Sequence, residues 1–148
     1  MTYTRPRTGV YATVNGVEYK CNDYPRDDQV LLLSREAENP DPRLFTRDEA
    51  NQLWTALVPV DQCERLADVT TRADYRGNRC QVLSIAPNGD VGLYFLGDDK
   101  SVAEKDGFIQ VDPGTWAKTV NIHDLRTYHE QHADLRYERW WRKHHPGQ

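Results

Sequence analysis

The chain has 148 residues and a formal net charge of -4, with 28% charged, 38% hydrophobic and 10% aromatic residues. The aromatic content argues against a disordered chain, and the acidic balance disfavours general nucleic-acid binding. No apolar stretch is long enough for a signal peptide or a membrane span, and the three cysteines form no CxxC pair. We therefore expect a reduced, cytoplasmic protein that does not enter a membrane.

The first half of the chain predicts a run of β-strands. Residues 1–8 are expected to form a loose lead-in, and Asn15-Gly16 is the strongest hairpin signal, because both residues tolerate positive φ. A Pro-rich excursion over 35–49 interrupts the strands, with a helical turn expected at 47–51, and 59–63 suits a 3₁₀ turn. The apolar pattern predicts strands at 9–14, 17–21, 29–34, 54–58 and 66–73.

The second half predicts the same order of elements. Arg76-Gly77 occupies the place of the first hairpin turn, and 121–125 suits a second 3₁₀ turn. The second excursion, at 97–108, is expected to hold a helical turn at 101–105 with Ser101 as its cap. The apolar pattern predicts strands at 70–75, 79–85, 91–96, 109–111 and 116–120.

The two halves are related as copies of one unit. The segment from Trp116 repeats the segment from Trp54 at a distance of about 60 residues, which indicates a duplicated small unit. The order of strands, long loop and 3₁₀ turn resembles SH3-like and Tudor-like barrels. We therefore predict an all-β protein of two tandem SH3-like or Tudor-like small barrels packed together, with a short C-terminal helix or strand. The predicted divisions are a lead-in at 1–8, repeats at 9–68 and 69–128, and an extension at 129–148.

No pattern in the sequence indicates catalysis. There is no GxSxG nucleophile elbow and no GxxxxGK[ST] or GxGxxG phosphate loop. Cys21 and Cys80 fall in apolar strands without a neighbouring histidine, so no cause for a lowered thiol pKa is visible. His129 and His132 would share one face of a helix, but their spacing is not that of an HExxH site. We expect a non-enzymatic protein with no catalytic residue, no cofactor and no metal.

The C-terminal extension is the one strongly basic part of the chain. Residues 136–145 carry a net charge of +3, which leaves -7 for the rest. Helix formers predominate over 130–143, whereas 133–137 would suit a closing strand. The alternative to a protein-binding role is a Tudor-like or nucleic-acid-binding adaptor that uses this tail. Against that role, the tail can also be interpreted as a helix whose tryptophans belong to the core and whose arginines are solvated. The residues for the nucleic-acid role are Arg136, Arg139, Trp140, Arg142 and Lys143.

The two excursions differ most between the repeats, so they are the predicted partner-binding loops. The second excursion is acidic, which would steer it towards a basic partner surface. The predicted contact residues are Asp98, Asp99, Lys100 and Glu104 in the second excursion, and Arg35, Arg43 and Phe45 in the first.

A small, acidic, duplicated β protein with the loops Leu96-Gly-Asp-Asp-Lys100 and Asp106-Gly-Phe108 resembles actinobacterial immunity or antitoxin proteins. That group includes the class that inhibits NAD-hydrolysing toxins. The resemblance implies a non-catalytic module that neutralises a partner toxin by inserting a loop into its active site. The acidic loop at 97–106 is the candidate for insertion, and the basic tail is the second candidate.

Overall fold

The computed structural model describes residues 5–144, with only the helical backbone at 138–141. Over these residues the protein is all-β, with antiparallel pairing wherever a register is defined. Its strands are β1 (Gly9–Val14), β2 (Val17–Cys21), β3 (Gln29–Ser34), β4 (Thr46–Asp48), β5 (Leu53–Pro59), β6 (Arg65–Tyr75), β7 (Asn78–Ile85), β8 (Asp90–Phe95), β9 (Ile109–Asp112), β10 (Thr115–Asn121) and β11 (Leu125–Asp134). The helices are α1 (Lys100–Lys105) and α2 (Leu135–His144), and 3₁₀ turns lie at Val60–Gln62 and Ile122–Asp124.

The chain divides into two compact units. Over the described residues, the N-terminal unit comprises Gly9–Val69 with 132–144, and the C-terminal unit comprises Thr70–Gln131 with 5–8. The long strand β6 contributes its first half to the N-terminal unit and its second half to the C-terminal unit. Each terminal segment therefore belongs to the unit that is more distant from it in sequence.

The N-terminal unit has the strand order β4-β5-β3-β2-β1-β6. Alternate residues of β1 face inwards, as the two-residue period of a strand requires, so Val10, Ala12 and Val14 are buried. They share a core with the fully buried Leu32 and Leu66. Burying an aliphatic side chain of this size contributes about 1.5–3 kcal/mol, so these strands hold the unit together mainly through apolar packing.

The C-terminal unit has the strand order β9-β10-β8-β7-β6, and β11 pairs with β6. Its core includes Val82, Val91 and Leu93, all fully buried. The partly buried Trp116 packs against this core. In the other unit, Trp54 packs against its own core in the same way, so both tryptophans support a core from its margin.

The two hairpin turns predicted from Gly-containing dipeptides are present with matching backbones. Asn15 and Gly16 have φ values of 52° and 80°, and Arg76 and Gly77 have φ values of 49° and 78°. Two successive positive φ angles define the turn that fits the twist of a two-residue β-hairpin. The register places Val14 opposite Val17 in the first hairpin and Tyr75 opposite Asn78 in the second.

Two predicted helical segments differ in the structure. The helical turn expected at 47–51 is replaced by β4 and a turn, because β4 pairs with β5. The helix expected from 130 begins only at Leu135, because β11 continues to Asp134 in its pairing with β6. Asp134 Oδ1 accepts a hydrogen bond from the backbone N of Tyr137 at 3.0 Å, which is the N-cap arrangement that starts α2.

Leu135 is buried in the core of the N-terminal unit, so α2 is anchored at its first residue. Within the described range, neither helix is long and apolar enough to cross a membrane.

Candidate protein-binding surface

The second excursion forms α1, and a carboxylate fixes the start of this helix. Asp99 Oδ1 accepts hydrogen bonds from the backbone N of Ser101 at 3.0 Å and from its hydroxyl at 2.6 Å. The hydrogen bond from the Ser101 hydroxyl is the main cause, and the one from its backbone N the second, of a pKa of the Asp99 carboxyl below its ordinary value. Asp99 is therefore the N-cap, and the helix starts at Lys100. The prediction of Ser101 as the cap was wrong, because the side chain of Ser101 donates to the true cap.

The other end of α1 is closed by a Schellman motif. The backbone N of Gly107 donates to Glu104 O at 3.1 Å, and that of Phe108 donates to Ala103 O at 2.9 Å. Gly107 has a φ of 88°, the left-handed conformation that this cap requires. Ala103 and Phe108 are both buried in the core of the C-terminal unit. The helix is therefore anchored on its inner side as well as capped at both ends.

Asp106 ties the C-terminal end of α1 to the strands of the same unit. Its Oδ2 accepts a hydrogen bond from Asn78 Nδ2 at 2.7 Å, and its carbonyl accepts one from Lys118 Nζ at 3.0 Å. The Lys118 ammonium also lies 5.5 Å from the centre of the Tyr75 ring, within the range of a cation–π contact. These contacts hold the second excursion in one conformation.

On this excursion the predicted partner-binding side chains are held at the surface. Asp98, Lys100 and Glu104 are exposed, and Asp99 is exposed while it caps the helix. The structure therefore brings the four predicted residues of the second excursion together on and beside α1. Asp99 has a structural task in addition to its charge, so a test of binding must preserve the cap.

The strand that follows α1 exposes two large apolar side chains. Ile109 is 70% exposed and Val111 is 53% exposed, and all four residues of β9 are at the surface. The pairing of β9 with β10 shifts register between Thr115 and Trp116, so a β-bulge at Val111 interrupts the regular alternation of faces along β9. Two large aliphatic side chains exposed within three residues make this segment a candidate for contact with a partner. Neither was among the predicted contact residues, because exposure depends on the position of β9 in the sheet.

The first excursion is ordered by local hydrogen bonds in the N-terminal unit. Asp41 O accepts from the backbone N of both Leu44 and Phe45, and Asn39 Nδ2 donates to Phe45 O at 3.0 Å. Phe45 is only 2% exposed, and its ring lies 4.9 Å from that of Tyr19. The loop therefore contributes Phe45 to the core.

The two predicted arginines of the first excursion remain outside. Arg35 is exposed, and Arg43 is exposed with its Nε 3.4 Å from Asp41 Oδ1. The first excursion therefore presents both signs of charge, because Glu36 and Glu38 are exposed there as well. The two excursions belong to different units, and each has its own surface.

The basic tail and several carboxylates of the N-terminal unit line one cavity. Residues near both ends of α2 and residues of the 3₁₀ turn at Val60–Gln62 line this cavity, whose volume is about 740 Å³. Arg136 Nη1 donates a hydrogen bond to Glu64 O at 3.2 Å. The charged lining of the cavity contains both signs: Asp28, Asp61, Glu64, Asp134, Arg65, Arg136, Arg142, Lys143 and His144. A surface with this balance is less suited to a phosphate backbone than an uninterrupted row of cations. The side chains of Arg139 and Trp140 lie outside the described residues.

The two histidines considered for a metal lie on β11 instead of on a helix. An odd spacing along a strand directs His129 and His132 to opposite faces. The ring Nδ1 of His129 is 2.6 Å from Thr127 O, and that of His132 is 2.7 Å from Arg65 Nη2. Across the described part of the chain, no three His, Cys, Asp or Glu residues are grouped so as to hold a metal.

The comparisons with known proteins give one match. Residues 6–135 match the family described as uncharacterised conserved protein UCP033725. No curated protein and no solved structure matches the chain. The matched range includes α1 and β9 and ends at the first residue of α2, so most of the basic tail lies beyond it. The chain belongs to the family of uncharacterised conserved proteins UCP033725.

Proposed function

We propose that this protein is a non-catalytic protein-binding module that contacts its partner through the C-terminal unit. The contact surface consists of α1 with the exposed acidic residues on and beside it, and of the exposed side chains of Ile109 and Val111 on β9. We call this surface the α1–β9 face. The observation that carries the proposal is the exposure of Ile109 at 70% shortly after a capped and anchored helix that acidic residues flank.

The chemistry of the α1–β9 face fits a partner with a basic and partly apolar surface. Exposed charges mainly raise the rate of encounter and exclude partners of like charge, whereas apolar side chains contribute most of the affinity. Because α1 is capped at both ends and anchored by Ala103, little conformational entropy is lost when a partner binds. A pre-organised acidic turn of this kind suits insertion into a cationic cleft.

An immunity or antitoxin role is the specific form of this proposal. The acidic turn would occupy the active site of a partner toxin, as the resemblance to immunity proteins implies, and would exclude the substrate by steric and electrostatic means. No chemistry is required of the module itself. Its thiols support a non-nucleophilic role, because burial raises the pKa of Cys21 to about 12 and that of Cys80 to about 11.

For the scaffold, we propose that each unit is an SH3-like small barrel and that the two arose by duplication. Supporting this, the N-terminal unit runs β5-β3-β2-β1-β6 and the C-terminal unit runs β10-β8-β7-β6, with β11 closing on β6. Each unit has a 3₁₀ turn immediately before its last strand. A small barrel closed in this manner leaves its long excursion free for recognition.

The test is the affinity for the protein encoded next to this one, measured by calorimetry. Asp98→Lys with Glu104→Lys leaves the Asp99 cap intact, and we expect the complex to weaken on the order of tenfold or more and its association rate to fall. The matched control is Glu36→Lys with Glu38→Lys, which makes the same charge change in the first excursion. Equal weakening by both pairs would show a net-charge effect and remove the α1–β9 face from the proposal.

A further inference from the structure

The ammonium of Lys118 lies at the junction between the two parts of the α1–β9 face. Lys118 Nζ donates a hydrogen bond to the carbonyl of Asp106 at 3.0 Å and lies 5.5 Å from the centre of the Tyr75 ring. Asp106 is the C-cap of α1, and only Gly107 and Phe108 separate it from the first residue of β9. The ammonium therefore contacts the chain where it leaves α1 and approaches β9.

Lys118 also connects this junction to the strand that supports β9. It lies on β10 next to Ala117, and Ala117 is opposite Ile109 in the pairing of β10 with β9. The other edge of β10 is paired with β8, inside the sheet of the same unit. Through Lys118, the end of α1 is thus attached to the strand from which β9 also takes its position.

A lysine is an unusual choice at this place in the sheet. Lys118 is opposite the fully buried Leu93, and Ala56 is opposite the fully buried Leu32 at the corresponding place in the N-terminal unit, two residues after the tryptophan. Residues directly opposite each other lie on the same face of a sheet, so both positions face a core. Burying part of a charged side chain costs free energy unless its charge is used. The change from alanine to lysine between the units therefore indicates a task for the ammonium.

The ammonium fits closely against the backbone of the junction. A Cβ atom built on Gly107 would lie 2.4 Å from Lys118 Nζ, so a side chain at that position would displace the ammonium. A hydrogen bond from a charged donor is roughly twice as strong as one between neutral groups. Lys118 is half-buried, which limits the screening of this bond by solvent ions. The contact with Asp106 therefore restricts the end of α1 in both distance and direction.

We infer that Lys118 is the positioning residue of the α1–β9 face, because its ammonium fixes the end of α1 relative to β9. The inference rests on the proposed protein-binding function and deepens it by naming the group that sets the shape of the binding surface. A surface held in its bound shape loses less conformational entropy when the partner binds. The charge of Lys118 acts in the opposite direction, since a cation near the acidic residues disfavours a basic partner.

The first test measures backbone order parameters of the free ¹⁵N-labelled protein by NMR relaxation. In Lys118→Met we expect the values at Gly107 and Phe108 to fall from about 0.85 towards about 0.6, while Val82 in the core keeps the rigid value. Lys105→Met removes the same charge from an exposed position on α1 and should change none of them. Unchanged values in Lys118→Met overturn the inference, and so does an equal fall at Val82, which would mean general loosening of the unit.

The second test uses the opposite signs of the positioning effect and the charge effect. Binding to the neighbouring gene product is measured by surface plasmon resonance, which gives both rate constants. We expect Lys118→Met to bind about tenfold more weakly, with faster dissociation. Lys105→Met should associate faster than the original protein, because it only makes the face more acidic. Tighter binding by both variants would show that Lys118 acts through its charge alone, which contradicts the inference.

Together the two tests distinguish this inference from the proposed function. Absence of any complex, with the expected fall of the order parameters in Lys118→Met, removes the proposed function and supports the positioning of α1 by Lys118. A complex that Lys118→Met leaves unchanged in both rate constants supports the binding function and overturns the role of Lys118 in it.

Discussion

Glu130 on β11 accepts two hydrogen bonds from the guanidinium of Arg7, 2.7 Å from Nε to Oε2 and 3.0 Å from Nη2 to Oε1. The backbone N of Arg7 also donates to Thr71 Oγ1 at 2.8 Å, and that hydroxyl donates to Arg7 O at 3.2 Å. Residues 5–8 were expected to be a loose lead-in, and at Arg7 they are fixed within the C-terminal unit. A paired, two-point contact of this kind is stronger than an ordinary surface ion pair.

Replacing Glu130 by Gln is therefore expected to lower the free energy of unfolding by about 1 kcal/mol, because the charge-assisted contact with Arg7 is lost. The expected change in the free energy of unfolding is moderate because both side chains are 27% exposed and water partly screens their charges. Urea denaturation followed by circular dichroism measures the change. Glu104→Gln is the control at an exposed position on α1, and an equal effect of both substitutions would contradict the structural role of the contact.

The two equivalent tryptophans are expected to differ in what their indole N–H contributes. Trp54 Nε1 donates to Glu36 O at 3.1 Å, whereas Trp116 Nε1 is buried and has no acceptor among the described residues. A buried donor without a partner costs about 1–3 kcal/mol. We expect Trp54→Phe to destabilise the protein by about 1 kcal/mol more than Trp116→Phe, since the second substitution also removes an unsatisfied donor.

Equilibrium unfolding in urea, with the slope held constant between variants, gives this difference directly. Each tryptophan serves as the control for the other, because both lie at the margin of the core in their own unit. The reverse order of stability would show that Trp116 has an acceptor in solution.

The three free cysteines are expected to make the protein sensitive to high pH. Burial raises the pKa of Cys21 to about 12 and that of Cys80 to about 11, from an ordinary value of 9.0, and it also raises the pKa of Cys63. A raised pKa in the folded state favours the neutral thiol there. Its contribution is complete below pH 9.0 and is lost as the pH rises towards 11 and 12.

We expect stability to fall between pH 9 and pH 11 and the thiols to react with Ellman's reagent only after unfolding. The variant Cys21→Ala with Cys80→Ala should lose less stability over the same interval, which separates the thiols from lysine and tyrosine titration. Rapid reaction of any thiol in the native protein at pH 8 would contradict the buried positions of all three.

Much of the local structure follows from nearby residues. The strands at 9–14, 17–21 and 29–34 have the predicted bounds, because apolar alternation and short turns are written in adjacent positions. Arg76-Gly77 forms its hairpin for the same reason, since the turn geometry depends on two residues alone. The start of α1 shows where local prediction fails. Asp99 and Ser101 are both residue types that cap helices, and only the hydrogen bonds from Ser101 to Asp99 identify Asp99 as the cap.

The candidate surface was found only in part. Composition indicated that the second excursion is acidic, and the structure places its charged residues at the surface. The first excursion looked equally available, but Phe45 is required by the core of its unit. Whether a loop aromatic points inwards depends on the space left by strands distant in sequence, here those bearing Tyr19 and Leu32.

The sequence by itself determined that this is an all-β chain whose second excursion is acidic, because strand period, turn chemistry and charge are properties of neighbouring residues. The tertiary structure alone decided that β9 lies at an edge with Ile109 and Val111 exposed. It also decided that β11 extends to Asp134 before α2 begins. These outcomes depend on which distant strands pair, and pairing between distant strands is fixed by the packing of the whole unit and not by any local stretch of sequence.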